Sequence, residues 1–322
     1  MKVSFPFFMP TQSIIVDDHS TFLNKLVKDL DHPFSTYKSF TRPFEAIEFI
    51  NSHANNGSIK QIPDKIDRLV NGYLETFEEL IYDKSRFEQI STLIVDYDMP
   101  GINGIEVCKR ISSPYIQKIL LTGAASDQLA IQAFNDKTID YFINKSQPNL
   151  LEEIERVIGL AQDKYFSSLV HPLINPSTPE ALDMAGIMDP AFIDFFHKFI
   201  REKNICEYYL LDSVGTYLLL TKEGHPSLLF LFDEITLTGH EEKIPSSKLT
   251  AGIIQDLENN KKAICYYEFE GSPSYNKSYW KEFLLPLHKI EGNQPYYWAY
   301  TPIIPYLNKE GIISFNEYKK TN

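Results

Sequence analysis

Cysteine is scarce in this chain: Cys108, Cys206 and Cys265 are the three among 322 residues. They are scattered and odd in number, so neither a disulfide framework nor a zinc-ligand spacing is available, and reduced thiols in a cytoplasmic protein fit best. No apolar run approaches the roughly 20 residues that a membrane helix needs. Residues 1–6 lack the apolar core of a signal peptide. Positive charge is also short: 31 Lys and Arg stand against 43 Asp and Glu, a net charge of −12. Residues 1–171 carry 17 against 23 and residues 172–322 carry 14 against 20, so each half sits at −6. Neither half has the basic excess of a duplex-DNA reader, and nucleic acid is not indicated by charge, although a local basic patch fits these sums. A P-loop, a paired-glycine nucleotide fingerprint, a helix-turn-helix pattern and internal repeats are all missing. His171, His197, His225, His240 and His288 show no metal spacing and are expected on the surface or in loops.

Against these absences, short runs of Ile, Leu and Val stand out, each ending in a polar residue. Ser13–Val16 ends at Asp17 and Asp18, and Leu93–Val95 ends at Asp96. Ile119–Leu121 ends at Thr122-Gly123, and Tyr141–Ile143 ends at Asn144-Lys145. Such runs read as fully buried strands of a parallel sheet, the α/β class. In these sheets ligands bind beyond the carboxyl ends of the strands. Three carboxylates at one edge make an acidic pocket suited to a hard dication such as Mg2+. One of them can also act as a nucleophile toward phosphorus. A hydroxyl and an ammonium on the same edge complete the residue types that phosphoryl transfer needs.

On these residues, segment 11 to about 165 resembles the receiver domain of two-component response regulators, across about half the chain. The resemblance implies a flavodoxin-like, doubly wound, five-stranded parallel sheet. It implies Asp96 as phosphoacceptor, with Asp17, Asp18 and Asp96 holding Mg2+. Thr122 becomes the switch hydroxyl, Lys145 the contact to the phosphoryl group, and Phe142 the switch aromatic. Asp98 falls where the family tunes phosphoryl lifetime. The implied partners are a sensor histidine kinase or phosphotransfer protein and, on phosphorylation, a second copy of the chain. Two departures are visible. Ser146 follows Lys145 where the family has Pro with a cis bond, so the loop either holds a costly cis bond or takes another path. Phe142 stands where Tyr is commoner, without the hydroxyl.

The expected boundaries are a receiver over 1–171 and a smaller α+β output domain over 172–322. Phe22, Leu23, Leu26, Val27 and Leu30 mark a first helix, with Ser20-Thr21 as its cap. Residues 43–50 read as a second helix. An insertion over about 54–90 follows, in which Ile62, Ile66, Leu69, Val70, Tyr73, Phe77, Leu80 and Ile81 predict an amphipathic helix. That helix either packs back on one of the domains or forms a dimer seam. A long final receiver helix is expected over about 149–170, ended by Pro172, Pro176 and Pro179.

Asp189-Pro190 predicts a helix start, cap then Pro. Runs over 208–211, 217–220 and 227–232, joined by Gly-containing turns, predict an antiparallel meander. A helix near 249–258 and strands at 264–269 and 296–300 complete the half. Ser213, Ser246 and Ser247 lack a nucleophile-elbow context, so no enzyme is expected beyond the receiver's own phosphorylation and dephosphorylation, with an enzyme of unrecognised type left open for the output half. The Tyr-rich strands are available either for a core or for stacking bases. The receiver with this insertion, joined to a Tyr-rich half, resembles quorum-sensing response regulators of the Legionella type. Asp96–Pro100 and Glu207–Asp212 carry that likeness. The competing reading is a scaffold whose pseudo-receiver takes no phosphoryl group.

Overall fold

The computed structural model describes residues 6–53, 78–123, 127–170, 186–212, 214–269 and 272–321. Among them, residues 9–53, 84–123 and 127–170 form one compact unit, and 6–8, 78–83 and 186–321 form another. The first strand, β1 (Phe7–Phe8), therefore groups with the second unit, where a single boundary near 171 had been expected. The reason is a long-range pairing: Phe7 sits opposite Tyr209 and Phe8 opposite Tyr208 in an antiparallel ladder.

The receiver unit holds β2 (Thr11–Val16), β3 (Ser35–Phe40), β4 (Ile90–Asp96), β5 (Gln117–Thr122) and β6 (Tyr141–Asn144). All pair in parallel, in the order β3-β2-β4-β5-β6. Helices α1 (Ser20–Asp29), α2 (Pro43–His53), α3 (Gly104–Lys109), α4 (Asp127–Asn135) and α5 (Leu150–Val170) cover both faces. Successive strand side chains point to opposite faces, so each central strand feeds two cores. Ile14, Val16, Leu93, Val95 and Leu120 pack with Ala46, Ile50, Val107 and Ala130. Ile15, Ile94, Ile119, Leu121 and Ile143 pack with Leu23, Leu26, Ile154 and Ile158 on the other side. Each Val, Leu or Ile among them contributes about 1.5–3 kcal/mol on burial. This two-sided burial is why the strands read as unbroken apolar runs. The capping residue of α1 is His19 rather than Ser20, and it caps without a side-chain hydrogen bond. Away from the carboxyl edge, the Gln162 amide on α5 donates to Thr11 Oγ1 and the Phe34 carbonyl, both at 2.8 Å. It thereby ties the long helix to the start of β2 and the turn into β3.

The predicted insertion helix falls mainly on residues 54–77, outside the described residues. Its last expected turn, Leu80 and Ile81, lies in a 3-10 segment, Glu78–Tyr82, and both side chains are buried. The Ile313 amide donates to the Ile81 carbonyl at 3.1 Å, so this end belongs to the second unit.

That unit is built on a six-stranded antiparallel sheet. Its strands are β1, β7 (Ile205–Leu210), β8 (Tyr217–Thr221), β9 (Pro226–Phe232), β12 (His288–Glu291) and β13 (Pro295–Thr301). The order is β1-β7-β8-β9-β13-β12. β7, β8 and β9 form the expected meander. Its first turn is shaped by Asp212, whose Oδ1 accepts the amides of Val214, Gly215 and Thr216 at 2.8–3.0 Å. Helix α6 (Pro190–Glu202) starts at its Asp189 cap as predicted, with Oδ1 accepting from Ala191 N at 2.8 Å. Phe196 of α6 meets the rings of Tyr217 at 4.8 Å and Tyr208 at 5.0 Å. Tyr208, Tyr209, Tyr217, Tyr296 and Tyr297 are all buried. Their rings therefore pack into a core.

The expected strand over 264–269 is corrected. Only Lys262–Ile264 is a strand, β10, and it pairs with β11 (Leu284–Pro286) in a separate two-stranded sheet. Helix α7 (Ala251–Glu258) falls where a helix was predicted. Two shorter helices, α8 (Trp280–Phe283) and α9 (Phe315–Thr321), were not anticipated. His240 also departs from expectation: it is buried at 3% exposure instead of lying at the surface. Among the described residues no helix is long and apolar enough to cross a membrane.

Candidate functional site

The parallel sheet brings the ends of β2, β4, β5 and β6 to one edge. Asp17 follows β2 and is fully buried, while Asp96 closes β4 at 4% exposure. Lys145 follows β6 and reaches across both. Its Nζ donates to Asp17 Oδ2 at 2.6 Å and lies 2.7 Å from Asp96 Oδ1. Asp18 is half-buried beside them. Ligand atoms of Asp17, Asp18, His19 and Asp96 all lie within 4.8 Å of one another.

Burial raises the Asp96 carboxyl above its ordinary value, the Lys145 ammonium opposes that rise, and the Asp17 charge adds to it. One ammonium thus holds together two carboxylates that burial and mutual repulsion would otherwise disfavour. A dication suits this donor set. The oxygens are hard, and Asp18 Oδ1 is shut off from solvent without a hydrogen-bond partner.

Of the other residues read from the sequence, Thr122 is buried at the end of β5. Its carbonyl accepts the Lys145 amide at 2.8 Å, fixing the lysine backbone against that strand. Among the described residues no peptide bond is cis, so Lys145–Ser146 is trans. The loop takes the other path: Asn144 Oδ1 accepts the Ser146 amide at 2.8 Å, and Lys145 still reaches both aspartates. Phe142 is not drawn into the pocket. It is 40% exposed and meets Phe134 edge-on at 6.3 Å. Asp98 is exposed.

Three contributors escaped the sequence reading. His19 follows the aspartate pair directly, so adjacency was the available signal. Phe22 places its ring 4.7 Å from Lys145 Nζ. Gly104 is the third. A Cβ there would collide with the Asp96 carbonyl oxygen and come within 2.8 Å of Leu120 Cδ1. Its amide donates to the Tyr97 carbonyl at 3.0 Å, closing the loop after β4. Gly104→Ala is therefore expected to destabilise the receiver by about 1–3 kcal/mol through overpacking. It should also displace the Asp96 backbone. Urea unfolding checks the first effect, and a two-dimensional amide NMR spectrum, perturbed around Asp96, checks the second.

A family model described as "Response regulator receiver domain" matches residues 74–155, which include Asp96, Thr122, Phe142 and Lys145. The structure of the Legionella pneumophila response regulator LqsR is similar over nearly the whole chain. Identity is 29%, coverage is 98% of this chain and 95% of that one, and the TM-score is 0.77. An adenylate cyclase structure from Rhodopirellula baltica covers 53% of this chain and 100% of its own, at 22% identity and TM-score 0.38. An uncharacterised protein from Neptuniibacter caesariensis covers 53% of this chain and 98% of its own, at 20% identity and TM-score 0.36. No curated protein sequence matches the chain. A flavodoxin-like parallel sheet with three aspartates and a lysine at its carboxyl edge is thus matched by a response regulator receiver-domain model over residues 74–155 and resembles a response regulator structure over nearly the whole chain.

Proposed function

We propose that the chain accepts a phosphoryl group on Asp96 from a sensor histidine kinase or phosphotransfer protein and passes the signal on through dimerisation. The observation that carries this reading is Lys145 Nζ at 2.6 and 2.7 Å from Asp17 and Asp96, at the sheet edge where phosphoryl oxygens would arrive. An Asp96 carboxylate oxygen attacks phosphorus and the P–N bond of the donor phosphohistidine breaks. The leaving imidazole keeps the bonding pair and takes a proton from solvent. Asp17, Asp18 and Asp96 would hold Mg2+, which would supply positive charge to the phosphoryl oxygens. Lys145 then moves from the carboxylates to a phosphoryl oxygen, and the Thr122 hydroxyl turns to donate to another. The single charge of the Asp96 carboxylate is replaced by about two on the phosphoryl group, a net gain of about one placed farther out, which is what draws both groups. Phe142 follows inward, biasing a two-state equilibrium.

Exposed apolar side chains on adjacent elements of the receiver support dimerisation as the output: Leu129, Ile131 and Phe134 on α4, Phe142 on β6 and Leu160 on α5. Three buried cysteines outside any disulfide support a reducing, cytoplasmic setting. Quorum-sensing regulation is the finer placement that the Legionella-type architecture suggests.

The test is intact mass with light scattering, on wild type and Asp96→Asn incubated with Mg2+ and acetyl phosphate. A one-phosphoryl adduct on wild type alone, with a rise in molar mass, is the expected result. An adduct without a size change removes dimerisation and leaves phosphoacceptance. No adduct from acetyl phosphate or from histidine kinases gives the scaffold reading instead.

A further inference from the structure

His19 is placed at the cation site by its backbone, and its ring faces the same carboxylates. Its amide donates to Asp17 Oδ1 at 2.9 Å, and its carbonyl accepts the Leu23 amide at 3.0 Å as α1 begins. The ring takes no part in capping that helix. Instead Nδ1 lies 3.2 Å from Asp18 Oδ1, the oxygen that receives no hydrogen bond, and 3.5 Å from Asp17 Oδ1. The side chain is 72% exposed, so the ring stands over the pocket from its solvent side and can turn toward an entering cation.

The chemistry of the donors differs in a useful way. Carboxylate oxygens are hard and suit Mg2+. Imidazole nitrogen adds little for Mg2+ but raises affinity for first-row transition dications, in the order that runs upward from Mn2+. We propose that His19 is a fourth ligand to the cation held by Asp17, Asp18 and Asp96, and that its nitrogen shifts the site's preference from Mg2+ toward Mn2+ and the later dications. This rests on the cation reading given above.

The full-length chain, without a phosphodonor, tests it. Mn2+ binding is followed by the EPR signal of the free ion, Mg2+ by competition against Mn2+, and the ligand set by pulsed EPR of bound Mn2+. Wild type should show 14N coupling from a coordinated imidazole, and His19→Ala should lack it. His19→Ala should bind Mn2+ about tenfold more weakly, with Mg2+ affinity changed less than about twofold. Mn2+ bound by wild type without nitrogen coupling, and equally well by His19→Ala, overturns the role of His19 while the carboxylate site stands. Mn2+ binding that is absent from wild type, or unaltered by Asp96→Asn, overturns the cation site itself and His19 with it.

Discussion

Replacing Lys145 with Met is expected to destabilise the receiver unit by about 3 kcal/mol in metal-free buffer, the low end for removing one partner of a buried ion pair. Asp17 has a fully buried side chain, that of Asp96 is 6% exposed, and Lys145 itself is 23% exposed. Without the ammonium, two carboxylates within one pocket face each other with no cation. The low end applies because water reaches the lysine position, and because Asp96, whose carboxyl is already raised, can take up a proton. A carboxyl raised in the folded state costs stability at high pH and is relieved as pH falls through its folded value. The loss should therefore be larger at pH 8 than at pH 5. Met keeps an apolar stem near the Phe22 ring, so the change reports charge more than packing. On the proposed cation site, Mg2+ would bind the folded chain and not the unfolded one, and should return most of the loss. Thermal unfolding of the wild type and variant, with EDTA or with Mg2+, reads both effects. At roughly 2–4 °C per kcal/mol, a midpoint shift of about 10 °C is expected with EDTA. A variant as stable as wild type in EDTA would show that the pair contributes nothing. A loss that Mg2+ leaves untouched would place the cation elsewhere.

Lys145 was legible in the sequence for the same reason the sheet was. Strands buried on both faces carry near-continuous apolar runs, and the polar residue that ends such a run marks the carboxyl edge. Ile14 and Ile15 serve opposite cores, so neither could be polar. The edge strand β3, Ser-Thr-Tyr-Lys-Ser-Phe, is under no such constraint and carries no such mark. His19 belongs to the site by juxtaposition and not by spacing, which is why a search for metal-ligand patterns passed over it. In the second unit, the meander was legible because its turns are local. β1 is two residues that find Tyr208 and Tyr209 some 200 positions away, and nothing near Phe7 announces that pairing. Residues 264–269 have the composition of a strand, but only Ile264 lies in one. The next residue, Cys265, donates its amide to the Phe283 carbonyl at 2.8 Å outside any ladder. Aromatic content there reported packing rather than extension: Phe269 is buried, and Tyr266 and Tyr267 are half-buried.

His240 shows what such a misplaced residue does for stability. Its ring is buried edge-on to Phe232, with Nδ1 accepting the Ile264 amide at 2.9 Å and Nε2 donating to the Thr236 carbonyl at 3.2 Å. That pattern admits only the neutral ring, since a proton on Nδ1 would oppose the Ile264 N–H. Burial, aided by the Lys243 charge, pushes its pKa down to about 4, against the opposing Thr236 carbonyl and Glu241. A depressed histidine binds fewer protons folded than unfolded. Its contribution is complete above the unfolded value near 6.5 and is lost as pH falls toward 4. Over that window the loss amounts to about 3 kcal/mol, at 1.36 kcal/mol per unit. Carboxylates titrate in the same range, so wild type alone cannot isolate the effect. His240→Gln offers one acceptor and one donor with no titration, and the difference in stability between wild type and this variant removes the shared background. That difference should be constant above pH 7 and shift by about 3 kcal/mol against wild type between pH 6.5 and 4. Urea unfolding at four pH values is sufficient, followed by fluorescence of Trp280 and Trp298, which both lie in this unit. Parallel curves would mean that the ring accepts a proton without breaking its bond to Ile264. Converging curves would identify the small sheet, β10 with β11, as the part of the second unit that acid loosens first, because His240 holds it through Ile264.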